Sequence, residues 1–190
     1  MPPVRLVLDS NSYFRLACSI RPLLDASFGP EPCRLAVLKE LDDEFNRSAR
    51  LQSKFGWVRE PEYQQDRRKG LLTPSASDKA KIDLTFDYLL HSDELEGNGV
   101  SPVDIRVLAT ASVLSYTAVT DDGDMRKAAN AFGIPTCSTL ELLKRMLDCK
   151  DINLEKIREI VAYWDYTGDL PTSSAAFRAN YRRLFAEDMP

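Results

Sequence analysis

Histidine is almost missing from this chain: His91 is the single one in 190 residues. Ser-His-Asp triads, histidine-rich zinc centres and His-paired catalysis are therefore excluded, since each needs imidazoles the chain does not supply. His91 itself stands in LLHSDELEGNG, which reads as a linker. Four cysteines (Cys18, Cys33, Cys137, Cys149) form no C-x-x-C pair and no metal-ligand spacing. They read as reduced thiols in a cytoplasmic protein. No apolar run approaches the roughly 20 residues a membrane helix needs, so no membrane association is expected. The apolar run within MPPVRLVLDSNS is too short for a signal peptide. There is no G-x-G-x-x-G, no Walker A motif, no internal repeat and no low-complexity segment. Catalysis must run on carboxylates, hydroxyls or bound metal.

An apolar fraction of 44% is enough for one domain with a proper core. The net charge of −4 argues against bulk coating of nucleic acid but says little about local patches. One patch is basic: Arg47, Arg50, Lys54, Arg59, Arg67, Arg68 and Lys69 stand against Glu60, Glu62 and Asp66. It reads either as a solvated helix face or as a surface that tracks phosphates, with Phe55, Trp57 and Tyr63 as stacking groups.

Short β-branched runs predict strands over 4–9 (VRLVLD), 115–120 (SYTAVT) and 134–137 (IPTC). Helical patterning follows the first run and continues in CRLAVLKELDDEFNRSARLQSKF, where Leu35, Leu38, Leu41 and Phe45 recur at three- and four-residue spacing. Residues 56–77 read as loop, and DKAKIDLTFDYLLHS as helix. Ser101 with Pro102 marks a helix start. Gly133 closes DMRKAANAF, Ser138 with Glu141 forms a capping box, and two further helices end the chain. Alternating strands and helices predict a three-layer α/β/α fold with a central, mostly parallel sheet, plus C-terminal helices. The division expected is residues 1–150 as the main domain and 151–190 as a helical extension packed on it.

In such sheets the functional crevice lies beyond the strand carboxyl ends. Asp9 ends the first strand, Asp122 and Asp124 follow the second, Asp104 opens the helix after Ser101, and Glu40 lies on the long helix. Each could be a cap, a turn residue or a solvated acid. Together they share one crevice. Carboxylates about 4 Å apart repel by roughly 4 kcal/mol per pair at an effective dielectric near 20. Such a set takes up protons or binds a cation, and an all-oxygen donor set suits Mg2+ or Mn2+. Glu44 lies one turn beyond Glu40 on the same face, so either can be the helix acid. If the chain leaves its strand extended, Thr120, Asp122 and Asp124 share one side, and Asp121 points away and is dispensable.

The pieces VLDSNS, LKEL, SPVDIRVLATAS and AVTDDGDMRKAANAFGIPT, in that order over about residues 4–145, resemble the motif series of PIN-domain proteins. That resemblance implies an α/β nuclease with an acid cluster for Mg2+ or Mn2+, and many such proteins are VapC-type toxins that cleave RNA and are silenced by an antitoxin. On it, Asp9, Glu40, Asp104, Asp122 and Asp124 are the acids, Asn11 is the polar neighbour of the first, and Ser10 and Thr120 bond the carboxylates or a metal-bound water. The expected activity is an Mg/Mn-dependent endoribonuclease, with Arg47, Arg50, Lys54, Arg67, Arg68 and Lys69 as weaker RNA contacts. Expected partners are an RNA substrate and an antitoxin protein, with room for a homodimer. The alternative is a catalytically inactive PIN-like binding module. A phosphoacceptor domain lacks its lysine after IPTC, and an EF-hand reading of DDGDM lacks the closing glutamate.

Overall fold

The structure, a computed structural model, describes residues 5–30, 32–97 and 99–190. Five strands form one sheet in the order β2-β3-β1-β4-β5. They are β1 (Arg5–Leu8), β2 (Ser27–Phe28), β3 (Cys33–Ala36), β4 (Thr117–Val119) and β5 (Thr136–Cys137). All neighbours run parallel except β2 with β3. Parallel neighbours need crossovers, and helices supply them. These are α1 (Ser10–Ala17), α2 (Glu40–Arg47), α3 (Ala49–Lys54), α4 (Pro61–Gly70), α5 (Ala76–Glu96), α6 (Pro102–Leu114), α7 (Gly123–Ala131), α8 (Thr139–Asp148), α9 (Leu154–Tyr166) and α10 (Ser174–Phe185), with a 3-10 turn at Gly56–Arg59.

Side chains alternate across a strand, and β1 divides accordingly. Leu6 and Leu8 face a core made with α1, α8, α9 and α10, including Phe14, Leu143, Trp164 and Tyr181. Val7 and Ala118 face a second core with α5, α6 and α7, including Ile82, Ile105, Leu108 and Met125. Both faces of the sheet are therefore covered, which gives the three layers. Trp164, Phe177 and Tyr181 of the last two helices are buried in the same core as Leu6 and Leu8.

Four segments differ from the expectation. The predicted long helix over 33–55 begins only at Glu40, because Cys33–Ala36 pairs with β1 in the register Leu6↔Leu35. The spacing of Leu35, Leu38, Leu41 and Phe45 suits a helix, but the backbone of residues 33–36 finds its partners in another strand. Within residues 56–77 only Glu60 and 71–75 lie outside helices: the rest hold the 3-10 turn, α4 and the start of α5. Helix α4 offers one apolar side chain, Tyr63, and is fixed by polar bonds instead. The Asp66 carboxylate accepts from the amides of Leu23, Leu24 and Asp25. His91 lies inside α5, exposed, and not in a linker. The second strand is shorter than 115–120, since Ser115 closes α6 in the left-handed region at φ 56. Val4 of the first predicted strand and Asn98 of the predicted linker lie outside the described residues. The Ser101, Gly133 and Ser138–Glu141 signals stand where the local chemistry puts them.

Candidate metal centre

The sheet ladder runs one residue past its strands. The Asp9 amide donates to the Val119 carbonyl at 3.1 Å, and the Thr120 amide to the Cys137 carbonyl at 2.9 Å. Asp9 and Thr120 thus sit at adjacent strand carboxyl ends, beyond which the parallel sheet opens its crevice. The next residues turn straight into helices. Asp9 is the N-cap of α1, its Oδ1 accepting from the Ser12 amide at 2.6 Å. Asp122 is the N-cap of α7, its Oδ1 accepting from the Met125 amide at 2.7 Å. Asp104 occupies the first turn of α6, where Ser101 Oγ takes the Asp104 amide at 3.2 Å and donates to its carboxylate at 2.7 Å. Three acids are thus held at three helix N-termini, where the backbone dipoles favour negative charge.

That help is incomplete. Burial pushes the Asp9 carboxyl up to about 6, against the lowering bonds from Thr120 and the Ser12 amide. Only 3% of Asp9 is exposed. Burial also pushes Asp104 up to about 6, the Ser101 hydroxyl lowers it, and the charges of Asp9, Glu44 and Asp122 raise it further. Asp104 therefore feels three other carboxylates across the crevice. Of the two α2 acids, Glu44 is the one whose charge raises Asp104. Glu40 stands at the first position of α2 and lines a separate cavity with Lys39 and Arg106.

Other expected residues fall differently. Asp124 is exposed and pairs with Lys127 at 2.7 Å. The chain does not leave β4 extended, because α7 begins at Gly123; the alternation that would carry Asp124 to the site ends at Asp122. Asp121 accepts from Arg15 Nη1 at 3.1 Å and from the Thr139 amide and hydroxyl, and its charge still raises Asp9. Thr120 Oγ1 accepts the Asp122 amide at 3.1 Å, which fixes the loop between strand and helix. Ser10 Oγ is buried with no partner among the described residues, and Asn11 is exposed on the first turn of α1.

The basic stretch is largely committed. Arg67 is buried and bridges Asp42 and the Tyr13 hydroxyl. Lys54 pairs with Asp169, and Lys69 with Asp25. Arg47, Arg50 and Arg68 remain exposed. The aromatics are not open platforms: Phe55 stacks on Phe14 at 5.0 Å and Trp57 tilts against Tyr63 at 4.3 Å.

Carboxylate oxygens from Asp9, Asp104, Asp122 and Glu44, with the unpartnered Ser10 hydroxyl beside Asp9, are the hard donors that Mg2+ or Mn2+ takes. Among the described residues, no three Asp, Glu, His or Cys side chains converge closely enough to hold an ion as they stand. Asp9 and Asp122 each spend an oxygen on a helix amide.

No protein-family model matches this chain, and no curated protein matches its sequence. Among solved structures, PAE2754 from Pyrobaculum aerophilum superposes with a TM-score of 0.52 over 77% of this chain and 98% of its own, at 14% identity. FitAcB from Neisseria gonorrhoeae gives 0.46 over 70% of this chain and 97% of its own, at 13% identity. At this identity the likeness to PAE2754 is one of fold. The fold is the three-layer, mostly parallel α/β/α arrangement of the PIN-like class.

Proposed function

We propose that this protein is a metal-dependent ribonuclease. The observation that carries the reading is the placement of Asp9, Asp104 and Asp122 at three helix starts, with the charges of Asp9, Glu44 and Asp122 all acting on Asp104. Acids held this way by backbone caps gain from a divalent cation, which removes their mutual repulsion. When bound, Mg2+ or Mn2+ supplies charge neutralisation and a more acidic water for attack on a phosphodiester. The residues do the rest. Asp9, Asp104, Asp122 and Glu44 would hold the ion, and Thr120 keeps Asp122 in line through its amide. The exposed Arg47, Arg50 and Arg68 would meet the RNA backbone. An antitoxin partner and a cytoplasmic setting belong to this reading through the motif resemblance. Four free cysteines agree with a reducing compartment, and no helix among the described residues is long and apolar enough to cross a membrane.

Cleavage of a mixed RNA pool by purified protein, with and without EDTA, tests the proposal. Asp9→Asn and Asp104→Asn are expected to abolish cleavage with the fold intact, because asparagine keeps the capping bonds and loses the charge. Wild-type rates in either variant would refute the assignment. A second reading is a PIN-like binding module without catalysis. It is favoured by the absence, among the described residues, of three acids at ligating distance. RNA binding without any uptake of Mn2+ would support it.

A further inference from the structure

A cavity of about 410 Å3 opens between the 71–74 segment, α2, α5 and α6. Its volume is in the range of small-molecule sites, about 300–1,000 Å3. Leu38, Leu71, Leu72 and Ile82 make an apolar floor. Leu71 is 41% exposed there, an unusual position for a large apolar side chain at the end of a buried sheet bridge to Val37. Around the floor stand three cations, Lys39, Lys79 and Arg106, against two acids, Glu40 and Asp83. Arg106 is held by Asp83 at 2.5 Å and lies 4.1 Å from the Phe86 ring centroid, so its guanidinium plane is fixed. Lys39 and Lys79 are exposed and have no ion pair among the described residues. The Thr110 hydroxyl donates to the Arg106 carbonyl and keeps its acceptor capacity free.

The position of this cavity matters as much as its lining. Glu40 on its wall is four residues of α2, about 6 Å of rise, from Glu44 of the acid group. Glu40 and Glu44 share one face of α2, so a strand of nucleic acid that follows this face from the acids reaches the cavity.

We propose that the cavity receives one unpaired nucleotide of single-stranded RNA, adjacent to the phosphate at the acid group. Its base lies on the leucine floor near the Arg106 guanidinium, and its phosphate is met by Lys39 and Lys79. The proposal rests on the nuclease reading for the identity of the neighbouring phosphate. A base locked in a duplex cannot enter, so the cavity selects single strands.

Binding of a short fluorescent oligoribonucleotide, single-stranded or in a duplex, is measured in EDTA over a salt series. Leu71→Glu puts a carboxylate into the cavity from an exposed position and is expected to weaken single-strand binding about tenfold, leaving duplex binding unchanged. Lys79→Ala is expected to lower the salt slope of single-strand binding by about 0.7, the loss of one phosphate contact. Thermal melts check that both variants fold. With Mn2+, the wild-type protein is expected to hydrolyse bis(p-nitrophenyl) phosphate, which reports on the acid group. Wild-type RNA affinity and slope in both variants would overturn the subsite even with hydrolysis intact, and would leave the cavity to a protein partner. If the wild-type protein hydrolyses neither substrate but its RNA binding still depends on Leu71 and Lys79, the nuclease reading falls and the nucleotide site stands.

Discussion

Asp9 carries two duties that oppose each other. As an N-cap it stabilises α1, and as a buried acid it resists ionisation, with its carboxyl raised from 3.8 to about 6. The folded state therefore holds this proton more tightly than the unfolded chain. Stability from this source is complete below the unfolded value of 3.8 and is lost as pH rises through 6. Asp104 behaves in the same sense. In EDTA the melting temperature is expected to gain from Asp9→Asn at pH 7, by the equivalent of about 2–3 kcal/mol, and to gain little near pH 4. A variant equally stable to wild type at both pH values would contradict the burial argument. Millimolar Mn2+ should close the gap at pH 7, because it stabilises only the chain that keeps its carboxylate. Residue scale also separates the two acids of α2. Glu44→Gln is expected to reduce cleavage at least tenfold, whereas Glu40→Gln changes it less, since Glu44 is the one that acts on the Asp104 charge. Rates of the two variants on the same RNA decide between them; equal losses would remove the distinction.

At the scale of elements, α4 shows how a helix with little apolar surface is held in place. Asp66 ties it to the amides of Leu23, Leu24 and Asp25, and Arg67 ties it to Asp42 and Tyr13. Gly70 ends the helix against Leu24, whose Cβ would lie 2.4 Å from a Cβ added there. Gly70→Ala is therefore expected to destabilise the protein by about 1–3 kcal/mol through overpacking, read as a lower urea midpoint. A neutral effect would mean that the 23–25 turn yields easily. Its amides bonded to the Asp66 carboxylate argue against that. The same element explains a failure of sequence reading. Hydrophobic periodicity finds helices that bury apolar stripes, and PEYQQDRRKG has none to find.

For the whole molecule, the last forty residues are bound to the site's scaffold. The Trp164 indole donates to the Arg15 carbonyl, and the Arg15 guanidinium reaches both the Asp169 carbonyl and Asp121. Removing residues 151–190 would expose the core face that holds Leu6, Leu8 and Phe14 and leave Arg15 without Asp169. Such a truncation is expected to lose its cooperative melt and bind hydrophobic dyes, as measured by circular dichroism and dye fluorescence. A truncated chain that melts sharply would make 151–190 a dispensable appendage.

Local chemistry was enough to read much of this protein. Short β-branched runs marked β1, β4 and β5, and Ser101, Gly133 and the Ser138–Glu141 pair marked helix ends, because strand burial and capping act within a few residues. The placement of Asp9, Asp104 and Asp122 at element ends was legible for the same reason, since each caps or opens a helix. Tertiary structure alone decided the rest. Pairing with β1 made Cys33–Ala36 a strand, since a backbone satisfied across the chain outweighs a helical spacing of leucines. Packing chose Glu44 over Glu40 as the acid that Asp104 feels. Contacts more than a hundred residues apart in sequence turned Asp121 toward Arg15, and salt bridges to distant acids took Lys54, Arg67 and Lys69 out of the free basic surface.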